Sequence, residues 1–375
     1  MSARFLTVVL ERAFNMRDGF GREIDYMRIS VIDSCNLNCY YCNPCDNNEH
    51  CHALNILSVK EVLCIVRAAT RLGIKHFRLT GGEPLLHPQL DEMVLQIKKI
   101  PGVSSVSLTT NAVLLAQHAK WLKEAGIDSI NVSLDTIDAS EYERITKKPL
   151  LEEVKHGINA AIECGIRVKI NVVLTPQTDV VALTRYVAKK GTDIRFIEMM
   201  PVGEGHTNGV EPYKKVIGTL SKLYGEPCRI NTEKTKEINS GNDKRKIPDN
   251  GPAEYYIFPE LGIRVGLIQA IHGKFCDTCN RIRVTADGRL MPCLGSSVTM
   301  DLVPDSCEFT DDLEKDFVIV QALKAAIKAK PGCHNFNDNA VTYTKTTETK
   351  TVETKTTELK AAEVNAARNM SRIGG

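Results

Sequence analysis

The 375-residue chain has no apolar run of the roughly 18 residues needed to cross a bilayer as a helix. Its opening stretch, Met1 to Phe20, has no uncharged apolar core like that of a secretion signal, because Glu11 and Arg12 interrupt it. Both absences lead to the expectation of a cytoplasmic protein without a membrane span. Charge of one sign is also missing. Forty-eight Lys and Arg stand against 46 Asp and Glu, a formal net charge of +2, so no overall field draws the chain to nucleic acid or an anionic membrane. An anionic ligand must therefore be met by a local cluster of arginines. Composition also argues against wholesale disorder, with 43% hydrophobic and 25% charged residues. The length suits one α/β barrel with an appendage. What the chain has in excess is cysteine: 13 residues. In a reducing compartment that number points to metal rather than disulfides, and six of the cysteines fall into two tight groups.

From Tyr26 to about Pro201 short β-rich runs alternate with amphipathic helical stretches, as in repeated βα units around a parallel sheet. Six strands are expected, at Tyr26–Ile32, His76–Thr80, Ser105–Thr109, Ser129–Leu134, Arg167–Leu174 and Asp193–Ile197. Helices are expected at Ser58–Leu72, opened by a capping-box spacing of Ser58 and Glu61, and at Glu152–Cys164, closed by Gly165. Each strand runs into an unusual segment, such as the Cys35 group, Gly81-Gly82-Glu83-Pro84 or Glu198-Met199-Met200-Pro201, and these belong at one mouth of the barrel. The fold expected is α/β, an incomplete (β/α)6 TIM-like barrel with a smaller C-terminal module. The divisions are 22–201 for the barrel, 202–340 for the module, 341–362 for a flexible Thr/Lys/Glu-rich insert, and 363–375 for a tail ending in Gly374-Gly375.

Cys35, Cys39 and Cys42 form Cys-x3-Cys-x2-Cys just after the first strand. Three thiolates on one loop can hold three irons of a 4Fe-4S cluster and leave the fourth open. A zinc site is the competing reading, with Cys45 or Cys51 as fourth ligand. The second group, Cys276, Cys279 and Cys293, again offers three thiolates, and between them lies Arg281-Ile282-Arg283. Alternation on a β-run puts both guanidiniums on one face beside the cysteines, a clamp for phosphates or an electron-rich base. Here too a zinc ribbon competes, completed by Cys307, Cys333 or His272.

The first spacing, with Tyr41 before the last cysteine, resembles the radical S-adenosylmethionine (SAM) superfamily, and Gly81-Gly82-Glu83-Pro84 resembles its SAM-amine-binding segment. Phe275-Cys276 through Cys293-Leu294 is similar to the C-terminal cluster motif of the MoaA family, the GTP 3',8-cyclases. The resemblance runs from about Arg22 to Leu294 and resumes at the last six residues. It implies two 4Fe-4S clusters, SAM bound near Tyr41, Gly82, Ser133 and Met200, and GTP met by Arg28, Arg78, Thr109, Lys169, Arg195, Arg281 and Arg283. The cations are expected at strand ends, and catalytic roles fall to Arg281, Arg283, Gly374 and Gly375. The lyase reaction implied is abstraction of the ribose 3' hydrogen by a deoxyadenosyl radical and attack on guanine carbon 8, giving 3',8-cyclo-7,8-dihydro-GTP, the first step of molybdenum cofactor biosynthesis. Implied partners are a flavodoxin or ferredoxin as electron donor, cyclic pyranopterin monophosphate synthase as the next enzyme, and a second copy in a homodimer. Two readings compete: another radical SAM enzyme acting on a peptide or other metabolite, and a non-catalytic zinc or electron-transfer adaptor. The first leaves Arg-x-Arg beside Cys279 and the Gly-Gly end unexplained, and the second gives Tyr41 and the Gly-Gly-Glu-Pro segment no reason to be present.

Overall fold

The computed structural model describes residues 16–42, 55–202, 205, 209–230, 251–296, 298–302, 312–334 and 336. The expected insert, the tail with Gly374 and Gly375, residues 231–250, and Cys45, Cys51 and Cys307 lie outside the described residues.

Six strands carry the first half: β1 (Tyr26–Ser30), β2 (His76–Thr80), β3 (Ser105–Thr110), β4 (Ser129–Ser133), β5 (Val168–Leu174) and β6 (Asp193–Glu198). Helices α1 (Val59–Arg71), α2 (Leu90–Lys98), α3 (Leu115–Glu124), α4 (Ala139–Thr146), α5 (Leu151–Glu163) and α6 (Val180–Lys189) lie between them. The capping box of α1 is formed, with Glu61 accepting from the Ser58 amide at 2.8 Å and the Ser58 hydroxyl accepting from the Glu61 amide. Each strand pairs in parallel with the next, β1 through β6.

The later segment supplies α7 (Gly218–Tyr224), β7 (Cys228–Ile230), β8 (Glu254–Ile257), β9 (Arg264–Ile268), β10 (Arg281–Val284), β11 (Arg289–Met291), β12 (Met300–Asp301) and α8 (Asp312–Lys328). Its strands do not form a sheet of their own. β10 pairs in parallel with β1 and β9 with β6, and two antiparallel strands extend each edge, giving the order β12-β11-β10-β1-β2-β3-β4-β5-β6-β9-β8-β7. A partial barrel leaves two edges of unpaired backbone, and the C-terminal segment covers both.

Side chains alternate along each barrel strand. Met27 and Ile29 of β1, Phe77 and Leu79 of β2, and Ile194 and Phe196 of β6 are 0% exposed and belong to the core shared with the helices. Burying each such side chain stabilises the fold by about 1.5–3 kcal/mol. The other face carries Tyr26 and Arg28, His76 and Arg78, Ser107 and Thr109, Asn131, Lys169 and Asn171, and Arg195, all facing one cavity. A barrel interior ordinarily fills with branched apolar side chains. Here the inward face is polar and leaves space.

Candidate active site

The cavity has a volume of about 640 Å³. Inward residues of β1 to β6, β9 and β10 line it, so the sheet wraps around it even though β9 and β10 are not paired. Tyr41, Gly82, Ser133, Met200, Arg28, Arg78, Thr109, Lys169, Arg195, Arg281 and Arg283 all lie on its wall, as do the six grouped cysteines. The expectation that the cations sit at strand ends is corrected. Arg28 and Arg78 are each the middle residue of a five-residue strand, and Lys169 and Arg195 are also inside their strands. These four cations therefore line the barrel interior below the mouth, because inward alternation places them there, whereas Arg281 opens its strand.

Register makes a row of three. Arg283 stands opposite Arg28, and Arg28 opposite Arg78, on strands about 4.8 Å apart. Arg78 donates from Nε to the Tyr26 hydroxyl at 2.5 Å and from Nη1 to the Thr109 hydroxyl at 3.4 Å. Burial, then the neighbouring Arg283, hold the Arg28 guanidinium well below its ordinary pKa, and its buried Nε has no hydrogen-bond partner among the described residues. Burial followed by Arg281 lowers Arg283 to about 10. Burial works to raise the Tyr26 phenol, but Arg78 and Arg28 outweigh it and the net shift is downward. Stacked like charges and an unused donor make this row a receptor for an anion.

At the mouth, the first cysteine loop packs on the glycine segment. A Cβ on Gly82 would lie 2.1 Å from the Ser34 carbonyl oxygen, and one on Gly81 would lie 2.4 Å from that of Ile32. The missing side chains therefore let the two loops touch, and the Gly82 and Glu83 amides donate to the Ile32 and Ser34 carbonyls, each at 2.7 Å. Glu83 is buried and accepts from the Thr110 hydroxyl at 2.7 Å and the Asn111 amide at 2.7 Å, and burial still pushes its carboxyl up to about 7. The Asn111 side-chain amide donates on to the Asn36 Oδ1 at 2.7 Å. Tyr41 donates to Asp135 at 2.5 Å, and burial raises Asp135 to about 6.

Burial pushes the Cys35 thiol up to about 11 and the Cys42 thiol up to about 12, and raises Cys39 well above its ordinary value. Such thiols become thiolates only when cationic metal accompanies them. In the second group burial raises Cys276, whereas at Cys279 Arg281 and Lys330 outweigh the burial that would raise it and bring it to about 7. Among the described residues no group of three or more His, Cys, Asp or Glu side chains is placed to hold a metal ion. The fit to iron-sulfur clusters rests on donor chemistry: two sulfur-only trios, each facing the cavity. His272, a candidate fourth ligand, is instead bonded to buried Glu198.

Residues 29–182 match the Radical SAM superfamily, and residues 192–336 match Molybdenum Cofactor Synthesis C. The GTP 3',8-cyclase of Clostridium perfringens is 36% identical over 324 residues, covering 86% of this chain and 95% of that protein. The chain belongs to the GTP 3',8-cyclase family. The family's enzyme from Pelotomaculum thermopropionicum is 36% identical over 327 residues, with 85% of this chain and 95% of that one covered. Among solved structures, Streptococcus suis SuiB bound to S-adenosylmethionine superposes with a TM-score of 0.53 at 15% identity, over 80% of this chain and 65% of SuiB. That likeness is one of fold alone.

The sequence reading missed Asn131, Asn171, His76 and Ser107 on the cavity wall. The alternation that singled out Arg281 and Arg283 also runs through β1 to β6, and would have found them. Glu83 stood inside a quoted motif without a role. Lys330 had no sequence signal.

Proposed function

We propose that this radical SAM enzyme converts GTP to 3',8-cyclo-7,8-dihydro-GTP, the first step of molybdenum cofactor biosynthesis. The observation that carries the substrate is the in-register row Arg283, Arg28 and Arg78 inside a cavity that both cysteine trios face. When bound, SAM and the cluster of the first trio supply hydrogen-atom abstraction, and the second cluster supplies an iron with an open position. Cys35, Cys39 and Cys42 hold the first cluster, and Cys276, Cys279 and Cys293 the second.

The chain's own residues bind, orient and shield. The arginine row, with Lys169 and Arg195, neutralises the triphosphate, and the unpartnered Arg28 Nε is the donor such an anion satisfies. Thr109 and Asn131 lie opposite each other on β3 and β4 and offer neutral hydrogen bonds in the same cavity. Arg281 and Arg283 position the nucleotide beside the second trio. Tyr41, anchored on Asp135, together with Gly82, Ser133 and Met200, forms the SAM side. Gly374 and Gly375 complete the catalytic assignments.

The proposal extends to the division at 201/202, which lies inside the second family match rather than between the two, and to a cytoplasmic homodimer that takes electrons from a flavodoxin or ferredoxin and passes product to cyclic pyranopterin monophosphate synthase. Among the described residues no helix is long and apolar enough to cross a membrane. The test is anaerobic turnover of the iron-reconstituted chain with SAM, reductant and GTP. Both 5'-deoxyadenosine and cyclised nucleotide are expected, and Cys293→Ala should abolish the nucleotide product. Deoxyadenosine with GTP recovered unchanged would sink the substrate assignment and favour another metabolite or a peptide.

A further inference from the structure

Lys330 is 3% exposed, just beyond the end of α8. Its Nζ donates to the Arg281 carbonyl at 2.8 Å and to the Pro292 carbonyl at 2.8 Å. Arg281 lies two residues after Cys279, and Pro292 directly precedes Cys293, so one ammonium ties together the two strands that present these cysteines. Arg22 completes the frame from the other side. Its guanidinium donates to the Cys276 carbonyl at 2.7 Å, the Pro331 carbonyl at 2.6 Å and the Gly332 carbonyl at 3.0 Å. The segment Lys330 to Gly332 is thereby buckled to all three cysteine-bearing stretches.

The two cations differ in one respect. Arg22 has a buried counter-ion in Asp18, at 2.6 Å. Lys330 has no carboxylate at ion-pair distance among the described residues, and its partners are the two backbone carbonyls and the Cys279 thiol. A buried ammonium is costly without an opposite charge. Lys330 lines the same cavity as the second trio and acts directly on Cys279, and three thiolates around a 4Fe-4S core carry net negative charge that grows by one on reduction.

We propose that Lys330 is a positioning residue of the second cluster, fixing the separation of Cys279 and Cys293 and, as the cluster's counter-charge, favouring its one-electron-reduced form. The inference rests on the reading that the second trio holds a cluster. Its effect on reduction follows from charge: a fixed cation stabilises the state carrying one more electron and so makes the reduction potential less negative. Removing the cation reverses the shift.

The test uses the full chain with Cys35, Cys39 and Cys42 replaced by alanine, so that reconstituted iron reports the second trio alone. Iron content and an EPR-monitored titration with dithionite are compared for Lys330 and for Lys330→Gln and Lys330→Arg placed in it. Lys330→Gln is expected to fold, judged by circular dichroism, and to titrate at a more negative potential with less iron bound. Lys330→Arg should return the potential toward that of the lysine chain. Unchanged iron and potential in Lys330→Gln would overturn the role given to Lys330. So would loss of folded structure in Lys330→Gln, because the residue would then hold the fold rather than the site. Absence of iron from the chain that retains Lys330 would refute the cluster reading itself.

Discussion

Arg28 offers the sharpest separation between binding and stability. It sits between two arginines of the same register, and its Nε has no hydrogen-bond partner among the described residues. At an effective dielectric of about 20 and a separation of about 5 Å, each like-charge neighbour costs about 3 kcal/mol, a cost the ligand-free protein bears and a bound polyphosphate removes. Arg28→Met keeps an unbranched, though shorter, side chain and deletes the charge. The ligand-free variant is therefore expected to melt at or a few degrees above the wild-type temperature. Losing a charge-assisted hydrogen bond, worth about 1.5–3 kcal/mol, weakens GTP binding by roughly ten- to a hundredfold. Differential scanning calorimetry and anaerobic titration calorimetry with GTP, without reductant, read the two effects. A destabilised Arg28→Met chain that binds GTP with unchanged affinity would refute the reasoning.

Three further outcomes follow from the same geometry. Gly82→Ala drives a Cβ into the Ser34 carbonyl at 2.1 Å, so the first loop must shift, and reconstituted iron should fall from about eight to about four atoms per chain; full loading would contradict this. Glu83 has a folded pKa raised to about 7 from 4.5, so the folded state binds the proton more tightly. Its destabilising effect is absent below pH 4.5, grows as pH rises toward 7 and is complete above, reaching about 3 kcal/mol; Glu83→Gln should flatten that slope in urea melts. Deleting Gly374 and Gly375 is expected to lower cyclised product while leaving iron content unchanged, as measured by nucleotide analysis and iron assay.

Much of the fold was legible because the barrel strands announce themselves twice, by β-rich runs and by the odd segments that follow them. The expected β2 matches the observed strand, His76–Thr80, and the other five differ by no more than two residues at either end. The place of the C-terminal strands was not legible. That β10 joins β1 and β9 joins β6 depends on pairing across more than 60 residues of chain in one case and more than 200 in the other, which no local pattern encodes. The cysteine trios declared themselves by spacing, whereas Lys330 did not. A lysine beside a proline and a glycine looks like a solvated loop residue, and only the fold shows its ammonium between two backbone carbonyls. The contact between Glu198 and His272 was similarly hidden, because it joins the end of β6 to the loop after β9.

The most direct test of the central claim, that GTP is the molecule held between the two trios and cyclised there, is anaerobic turnover with GTP deuterated at the ribose 3' position. The account predicts one deuterium in the 5'-deoxyadenosine, together with a cyclised nucleotide that has lost it. Deuterium retained in unchanged GTP, with unlabelled 5'-deoxyadenosine accumulating, would contradict it.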